Sequence, residues 1–329
     1  MRLVFLGYQR WGCVALQALL DAGHDVPLVI THPTSDQPYE KIWSDSVAGL
    51  AASLGIECIA RRYANDSKTA ELIQALSADL LVSSDWRTWL SPDIYMLARH
   101  GAINIHDGLL PRYGGFAPLN WAIINGEAEV GVTVHFMNSE FDLGDIILQR
   151  AVPVGPADTA TDLFHRTLPL FAELAVQAVA QIGEGREVRI PQDPAKATFF
   201  HKRGRRDSLI DWSAEAEHIC RLVRAQSDPY PSAFTYYRGG ELQILSASVS
   251  SRPYGGTAGR VFCRREGGVV IVAGPRARTG ESRAVVVSEV RTGASEPVKA
   301  VEFFERMGEY LGANAGNSPG DHQVSGPGA

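Results

Sequence analysis

The chain has 329 residues, 45% hydrophobic and 21% charged, with a formal net charge of -6, 4 cysteines and 18 prolines. This is the composition of a soluble globular protein, and it excludes a collagen-like chain, a disulfide scaffold and an intrinsically disordered one. At roughly 100 to 200 residues per domain, the length predicts two domains, or one large domain with an appendage.

Residues 1–150 alternate short apolar runs with amphipathic stretches, the pattern of βαβ units around a parallel sheet. Strands are expected at 3–6, 26–30, 57–60, 80–83 and 101–105, with helices at 13–20, 44–54, 69–76 and 90–99, the last entered through Ser91-Pro92. An open, doubly wound, mostly parallel α/β sheet binds ligands at the carboxyl ends of its strands, so functional residues should follow the strands. Apolar residues then recur at helical spacing over 161–181, and Pro169 should kink that helix.

Residues 184–194 are charged and bounded by proline, and 199–206 carry the densest basic cluster, Lys202, Arg203, Arg205 and Arg206. After a further helix at 214–225 come short strands at 243–247, 259–263, 269–273 and 284–290, which suggest a small β-barrel. The stretch 312–329 is rich in Gly, Pro, Asn and Ser and reads as a disordered tail. The expected organisation is a catalytic domain over 1–200, a barrel-like domain over 201–311 and the tail.

No apolar run approaches the roughly 20 residues of a bilayer span, and the opening run reaches Gly7 too soon for a secretory signal, so a cytoplasmic location is expected. Cys13, Cys58, Cys220 and Cys263 have no Cys-x-x-Cys spacing, and they read as buried thiols or bystanders. A mildly acidic chain is poorly suited to wrapping nucleic acid, which requires clustered Lys and Arg.

The turn after the first strand, Gly7-Tyr8-Gln9-Arg10-Trp11-Gly12, lacks the middle glycine of a dinucleotide fingerprint, because Gln9 stands where the pyrophosphate must approach. The denser signal runs from Asn104-Ile105-His106-Asp107-Gly108-Leu109-Leu110-Pro111 through Tyr113-Gly114-Gly115-Phe116-Ala117-Pro118 and Trp121 to Gly131-Val132-Thr133 and Asp142-Leu143-Gly144-Asp145. Strand alternation sends Asn104 and His106 to the same face, where an amide and an imidazole can reach one reacting centre. A carboxylate at Asp142 can orient the imidazole if the chain folds back. Each residue alone has a plainer reading: a hydrogen-bonded histidine, a turn-capping asparagine, a hairpin aspartate.

Together these motifs resemble the folate-dependent formyltransferase family, which includes methionyl-tRNA formyltransferase, amino-sugar formyltransferases and enzymes that formylate hydroxyornithine for siderophores. The resemblance covers about 1–250 strongly and the remainder loosely. It implies a Rossmann-like amino-terminal domain that binds 10-formyltetrahydrofolate, followed by a barrel. The family's catalytic asparagine, histidine and aspartate fall on Asn104, His106 and Asp142. An acceptor amine attacks the formyl carbon, the Asn104 amide donates to the oxyanion, His106 carries the proton to the leaving nitrogen and Asp142 orients His106. No metal is required.

By the same resemblance, Trp86, Arg87, Thr88 and Leu90 hold the pterin largely through backbone groups, with Leu109, Leu110, Pro111 and Asp145 completing the folate side. Core packing is an equal reading of Trp86 and Trp89. Asp107, Tyr113 and Phe116 are expected on the acceptor side.

The stretch 32–54 contains Lys41 as its only Lys or Arg, against Asp36, Glu40 and Asp45, which weighs against tRNA. Phe5-Leu6-Gly7-Tyr8, Thr31-His32 and 228–234 look like the aminoarabinose branch. Asp107-Gly108 replaces the usual Gly-Ser, and with 113–116 and 39–47 it looks more like hydroxyornithine formyltransferases. The expected partner is a small-molecule amine of hydroxyornithine type, then a nucleotide-linked amino sugar, then tRNA. A homodimer stays open, as do a formyltetrahydrofolate hydrolase and a non-catalytic folate-binding module.

Overall fold

The computed structural model describes residues 1–38 and 41–312. Tyr39 and Glu40 of the acidic stretch lie outside the described residues, as does all of the expected tail beyond Gly312. The chain divides into two compact units, Met1–Gly204 with Asp228–Pro231, and Arg205–Ser227 with the chain from Ser232 onward.

The first unit runs β1 (Arg2–Gly7), α1 (Gln9–Asp21), β2 (Asp25–Thr31), α2 (Val47–Ser53), β3 (Glu57–Ala60), α3 (Ser67–Leu76), β4 (Leu80–Ser84), α4 (Pro92–Tyr95) and β5 (Ala102–His106). It continues with β6 (Gly114–Gly115), α5 (Pro118–Asn125), β7 (Glu129–Phe136), β8 (Ile146–Pro153), α6 (Ala160–Gly183) and β9 (Phe199–Phe200). Seven strands form one sheet in the order β3-β2-β1-β4-β5-β7-β8. Strands β3 to β5 on that path pair in parallel. β7 runs antiparallel to both β5 and β8. The predicted Rossmann-like, mostly parallel sheet is therefore present, with its direction reversed at one side.

Both sheet faces are covered, as a parallel sheet requires. On one face Leu3, Phe5, Val82, Ile103 and Val134 pack with Trp11, Leu16 and Leu19 of α1 and Phe164, Phe171, Leu174 and Val179 of α6. On the other, Val4, Leu6, Ile30 and Leu81 meet Ile73 of α3 and Ile94 and Tyr95 of α4. Helix α6 begins in a capping box between Thr159 and Asp162 and continues as one element through Pro169. Gly12 brings α1 against β1: a Cβ there would stand 3.0 Å from the Gly7 carbonyl carbon.

The helix expected over 90–99 shrinks to the single turn α4. The Met96 and Leu97 amides still bond back to Pro92 and Ile94, but beyond them Arg99 N–H donates to the Ala78 carbonyl at 3.1 Å and His100 N–H to that of Asp79 at 2.8 Å. The expected helix over 44–54 starts at Val47, because the Ser46 hydroxyl caps it by accepting from Gly49 N–H.

The second unit holds α7 (Ala216–Ala225), β10 (Phe234–Tyr237), β11 (Gly240–Pro253), β12 (Val261–Arg265), β13 (Gly268–Ile271), β14 (Arg283–Arg291), β15 (Val298–Lys299) and α8 (Ala300–Phe303). Where a small β-barrel is expected, the strands form a separate antiparallel sheet in the order β10-β11-β14-β13-β12, with β15 on β14. Bulges interrupt the β11–β14 ladder, and such bulges bend a sheet. Val261, Val269, Val285, Val287 and Val290 are fully buried.

Candidate active site

The site is built where the sheet changes direction. β5 lies between parallel β4 and antiparallel β7, so Asn104 has Ser83 opposite it on one side and His135 on the other. Asn104 Oδ1 accepts from Ser83 Oγ at 3.0 Å, and its Nδ2 donates to His135 Nε2 at 3.3 Å. The other His135 nitrogen, Nδ1, is 2.8 Å from the Phe136 carbonyl. A carbonyl only accepts, so Nδ1 carries the hydrogen and Nε2 is the acceptor. His106, two residues beyond Asn104, is also buried, and its Nε2 donates to the Tyr113 carbonyl at 2.8 Å. That leaves Nδ1 of His106 directed to the carboxylate of Asp142, 3.8 Å away.

Asp142 lies between the two imidazoles. Its Oδ2 faces His106 Nδ1, and its Oδ1 lies 3.6 Å from His135 Nε2. Oδ2 also accepts from the Gly115 amide at 2.8 Å. Burial alone would raise this carboxyl, but His106 and His135, when each carries a proton on the nitrogen facing it, together with the Gly115 amide outweigh it and bring it down to about 2. Asp142 is accordingly ionised throughout the neutral range. Its turn is held from below, Gln192 Nε2 donating to the carbonyls of Asp142 at 2.9 Å and Gly144 at 2.7 Å. Only glycine fits at 144, since a Cβ would stand 1.7 Å from the Phe136 carbonyl oxygen.

The loop after His106 is fixed by two side chains of the antiparallel strands. Thr133 Oγ1 donates to the Gly108 carbonyl at 2.5 Å and accepts from Leu110 N–H at 3.2 Å. Gln149 Nε2 donates to the Leu110 carbonyl at 2.8 Å. Leu110 is buried, while Leu109 and Pro111 are half-buried. Tyr113 is buried as well: its hydroxyl donates to Glu127 at 2.7 Å and its ring stacks on Phe200 at 4.9 Å. Its contribution to the site is the carbonyl that takes His106. Phe116 stacks with the exposed Phe141, 6.1 Å between centroids, next to Asp142. The Asp145 carbonyl accepts from Phe136 N–H at 2.9 Å, tying the turn to β7.

The loop after β4 is similarly braced. Arg87 pairs with Asp85 at 3.1 Å, donates to Gln9 Oε1 at 2.7 Å and lies 4.7 Å over the Tyr8 ring. Its amide donates to His32 Nε2 at 3.0 Å, while His32 Nδ1 donates to the Arg61 carbonyl at 3.1 Å. The His32 ring stacks on Trp86, 3.9 Å between centroids. Burial, then the positive charge of Arg87, lowers His32 to about 4 despite the Arg61 carbonyl, so the ring is neutral. Trp86 and Leu90 belong to the core on that face, and Trp89 is 45% exposed. Two atoms of this loop, Trp86 Nε1 and Thr88 Oγ1, are buried with no hydrogen-bond partner.

Ser83, His135, Gln149 and Gln192 carry no motif; strand pairing brings the first three to the site, and Gln192 reaches it from the segment after α6 through its bonds to the Asp142 and Gly144 carbonyls. The four cysteines are free. Burial pushes Cys13 up to about 11 and Cys220 up to about 12, the wrong direction for a thiolate nucleophile. Among the described residues no group of metal-binding side chains gathers, and no helix is long and apolar enough to cross a membrane.

An amide, two imidazoles and a buried carboxylate at the end of a mixed sheet define an α/β enzyme suited to acyl transfer without a covalent nucleophile. Residues 1–179 match the formyl transferase family and residues 204–308 its C-terminal domain, and the chain belongs to the formyl transferase family. Among similar solved structures is the N-formyltransferase from Helicobacter canadensis in complex with folinic acid and dTDP-3-aminofucose, 19% identical over 87% of this chain and 98% of that one, TM-score 0.64. A sugar N-formyltransferase from Shewanella sp. FDAARGOS_354 is 21% identical over 76% of this chain and 99% of its own, TM-score 0.58. HypX from Aquifex aeolicus in complex with tetrahydrofolic acid is 19% identical over 93% of this chain, TM-score 0.58, and the chain spans only 47% of its length. At these identities the likeness is one of fold.

Proposed function

We propose that the protein moves the formyl group of 10-formyltetrahydrofolate to the amine of a small-molecule acceptor, with an acceptor of hydroxyornithine type preferred. The observation that carries the reaction is the ionised Asp142 held between His106 and His135 beside Asn104. Family membership supports it, as do relatives solved with tetrahydrofolate or folinic acid.

The folate side of the site is the loop after β4. Trp86 Nε1 and Thr88 Oγ1, buried and unpartnered, supply polar atoms for a heterocycle edge, and Leu90 an apolar wall. Leu109, Leu110, Pro111 and Asp145 flank the reacting end. When bound, 10-formyltetrahydrofolate supplies a formyl carbon activated for attack by an amine. The Asn104 amide donates a hydrogen to the formyl oxygen as negative charge develops there. His106 Nδ1, the ring nitrogen not engaged by Tyr113, takes the proton of the attacking amine and returns it to the departing folate nitrogen. Asp142 stabilises the imidazolium formed in between, and the products are the formylated amine and tetrahydrofolate.

The acceptor preference rests on charge. The basic groups beside the carboxyl ends of β1 and β4 are already neutralised, Arg10 by Asp45 and Arg87 by Asp85, which leaves a nucleotide diphosphate little to bind. The second reading, a nucleotide-linked amino sugar, draws on the dTDP-3-aminofucose complex of the Helicobacter canadensis relative. A net charge of -6 is unfavourable for tRNA. Purified protein is assayed with 10-formyltetrahydrofolate against hydroxyornithine, dTDP-linked amino sugars and charged initiator tRNA. Formylation of hydroxyornithine with the highest kcat/KM is the expected result. Transfer to tRNA alone overturns the small-molecule reading, and formate release at full rate without acceptor makes the protein a hydrolase.

A further inference from the structure

One acidic group beside the site is unlike the rest. Asp107 directly follows His106, yet its Oδ1 is buried and has no hydrogen-bond partner. No cation pairs with it among the described residues, whereas the neighbouring Asp85 is held by Arg87. Asp107 also lines a cavity of ≈ 50 Å³ with Gly108, Leu109, Arg112, Glu127 and Glu129; Arg112 is paired there with Glu127, so the space that a small ligand group can enter beside Asp107 holds no cation committed to it. Burial raises its carboxyl well above the usual range and the nearby Asp85 raises it further. An unpartnered buried carboxylate is costly in the free protein and becomes favourable once a cation reaches it. Two carboxylates without a further donor are a poor metal site, and no metal-binding group gathers among the described residues.

We infer that Asp107 is the receptor for an ammonium group of the acceptor, separate from the nitrogen that is formylated. The inference rests on the small-molecule reading and narrows it to acceptors with a second, cationic amine, as in an amino acid with a nucleophilic side-chain nitrogen. Asp107 is thus a specificity residue. The adjoining His106 meets the reacting nitrogen while Asp107 holds the far ammonium, and an acceptor without that ammonium gains nothing from the carboxylate.

The test compares the wild type, Asp107→Asn and Asp85→Asn with hydroxyornithine and with 5-(hydroxyamino)pentanoate, which lacks the α-amino group. KM and kcat are measured together with calorimetric binding of hydroxyornithine, and folinic acid affinity serves as the check on folding. Asp107→Asn should raise KM and Kd for hydroxyornithine by about tenfold or more, with kcat and folinic acid affinity retained. Its KM for the analogue should equal that of the wild type, and Asp85→Asn should weaken hydroxyornithine less. Unchanged hydroxyornithine binding in Asp107→Asn, or an equal loss for both acceptors, overturns the inference while transfer by the wild type upholds the reaction. No binding of hydroxyornithine to the wild type overturns it too. Binding that depends on Asp107 without any formylation sinks the proposed reaction and leaves the ammonium receptor standing.

Discussion

His135 Nε2 lies 3.6 Å from Asp142 Oδ1, on the opposite side of the carboxylate from His106. The same nitrogen accepts from Asn104 Nδ2, so the His135 ring fixes the amide and stands between it and the carboxylate. His135→Ala should therefore misorient both groups. We expect kcat to fall about ten- to a hundredfold with folinic acid affinity within about twofold of wild type, whereas Asp142→Asn should cost about a hundredfold or more in kcat. Steady-state kinetics beside folinic acid titration separate the two, and a His135→Ala enzyme at full kcat overturns that role.

Acid stability reports the state of Asp142. An ordinary aspartate titrates near about 3.9, and this one is lowered to about 2 in the folded protein. A group lowered by folding contributes stability in full above the unfolded value and loses it as pH falls through the folded one. Between about pH 4 and pH 2 the wild type should thus lose on the order of 2 kcal/mol that Asp142→Asn does not lose. Denaturant unfolding of both proteins across that window checks it, and parallel curves count against an ionised Asp142.

His32 titrates in another range. Its folded value, about 4, lies below that of a free imidazole near about 6.5, so protonation favours the unfolded chain. The stability it contributes is full above about pH 6.5 and declines as pH falls toward about 4. Its ring resonances should show a midpoint near 4 by NMR. His32→Leu leaves the Arg87 amide and the Arg61 carbonyl without their partner and removes the face on which Trp86 stacks. A destabilisation of about 1–3 kcal/mol is expected, together with weaker folinic acid binding.

Gly144→Ala tests the turn that carries Asp142. The added methyl would meet the Phe136 carbonyl oxygen at 1.7 Å, a backbone atom that cannot rotate away. The variant should be destabilised by several kcal/mol, about 3 or more, and should lose activity as Asp142 is displaced. Gly49→Ala in α2 meets only the Ser46 side chain at 3.3 Å and should remain folded and active. Thermal unfolding of the pair gives the comparison.

Thr133→Val removes both hydrogen bonds that tie the loop after His106 to β7. Because Gln149 still holds the Leu110 carbonyl, the protein should fold while the loop loosens. Turnover should drop by about tenfold, with a loss of about 1–3 kcal/mol from the buried groups left unpaired. Amide exchange at Gly108 and Leu110 should quicken in step.

The parallel half of the sheet was legible because each strand is a short apolar run followed by a helical period, and Asn104, His106 and Asp142 because their spacing forms a long motif. β7 lies outside the predicted strands although Val130, Val132, Val134 and Phe136 alternate with Gly131, Thr133 and His135; the run stood out for its Gly-Val-Thr motif, and nothing in the alternation shows that both of its faces are buried. His135 was lost with it, since its importance lies in standing opposite Asn104, which no local pattern records. Tyr113 stood out as an aromatic in a motif, but the structure uses its carbonyl, and a sequence is silent about backbone atoms. The return of Asp228–Pro231 to the first unit was hidden too, resting on Trp43 Nε1 donating to the Tyr230 hydroxyl at 3.2 Å across a long stretch of chain.

The pairing of Asn104 with His135 and of His106 with Thr133 makes the β5–β7 register a measure of length. Insertion or deletion of one residue in the connection between the strands, if absorbed by a slip, would bring Val134 or Phe136 opposite Asn104 and turn both His135 and Thr133 to the other face. The connecting segment, α5 included, can therefore vary in sequence far more freely than in the parity of its length. Homologous enzymes that keep the two-histidine arrangement should differ in that segment by substitutions, or by insertions that bulge out as closed loops and leave the ladder where it is.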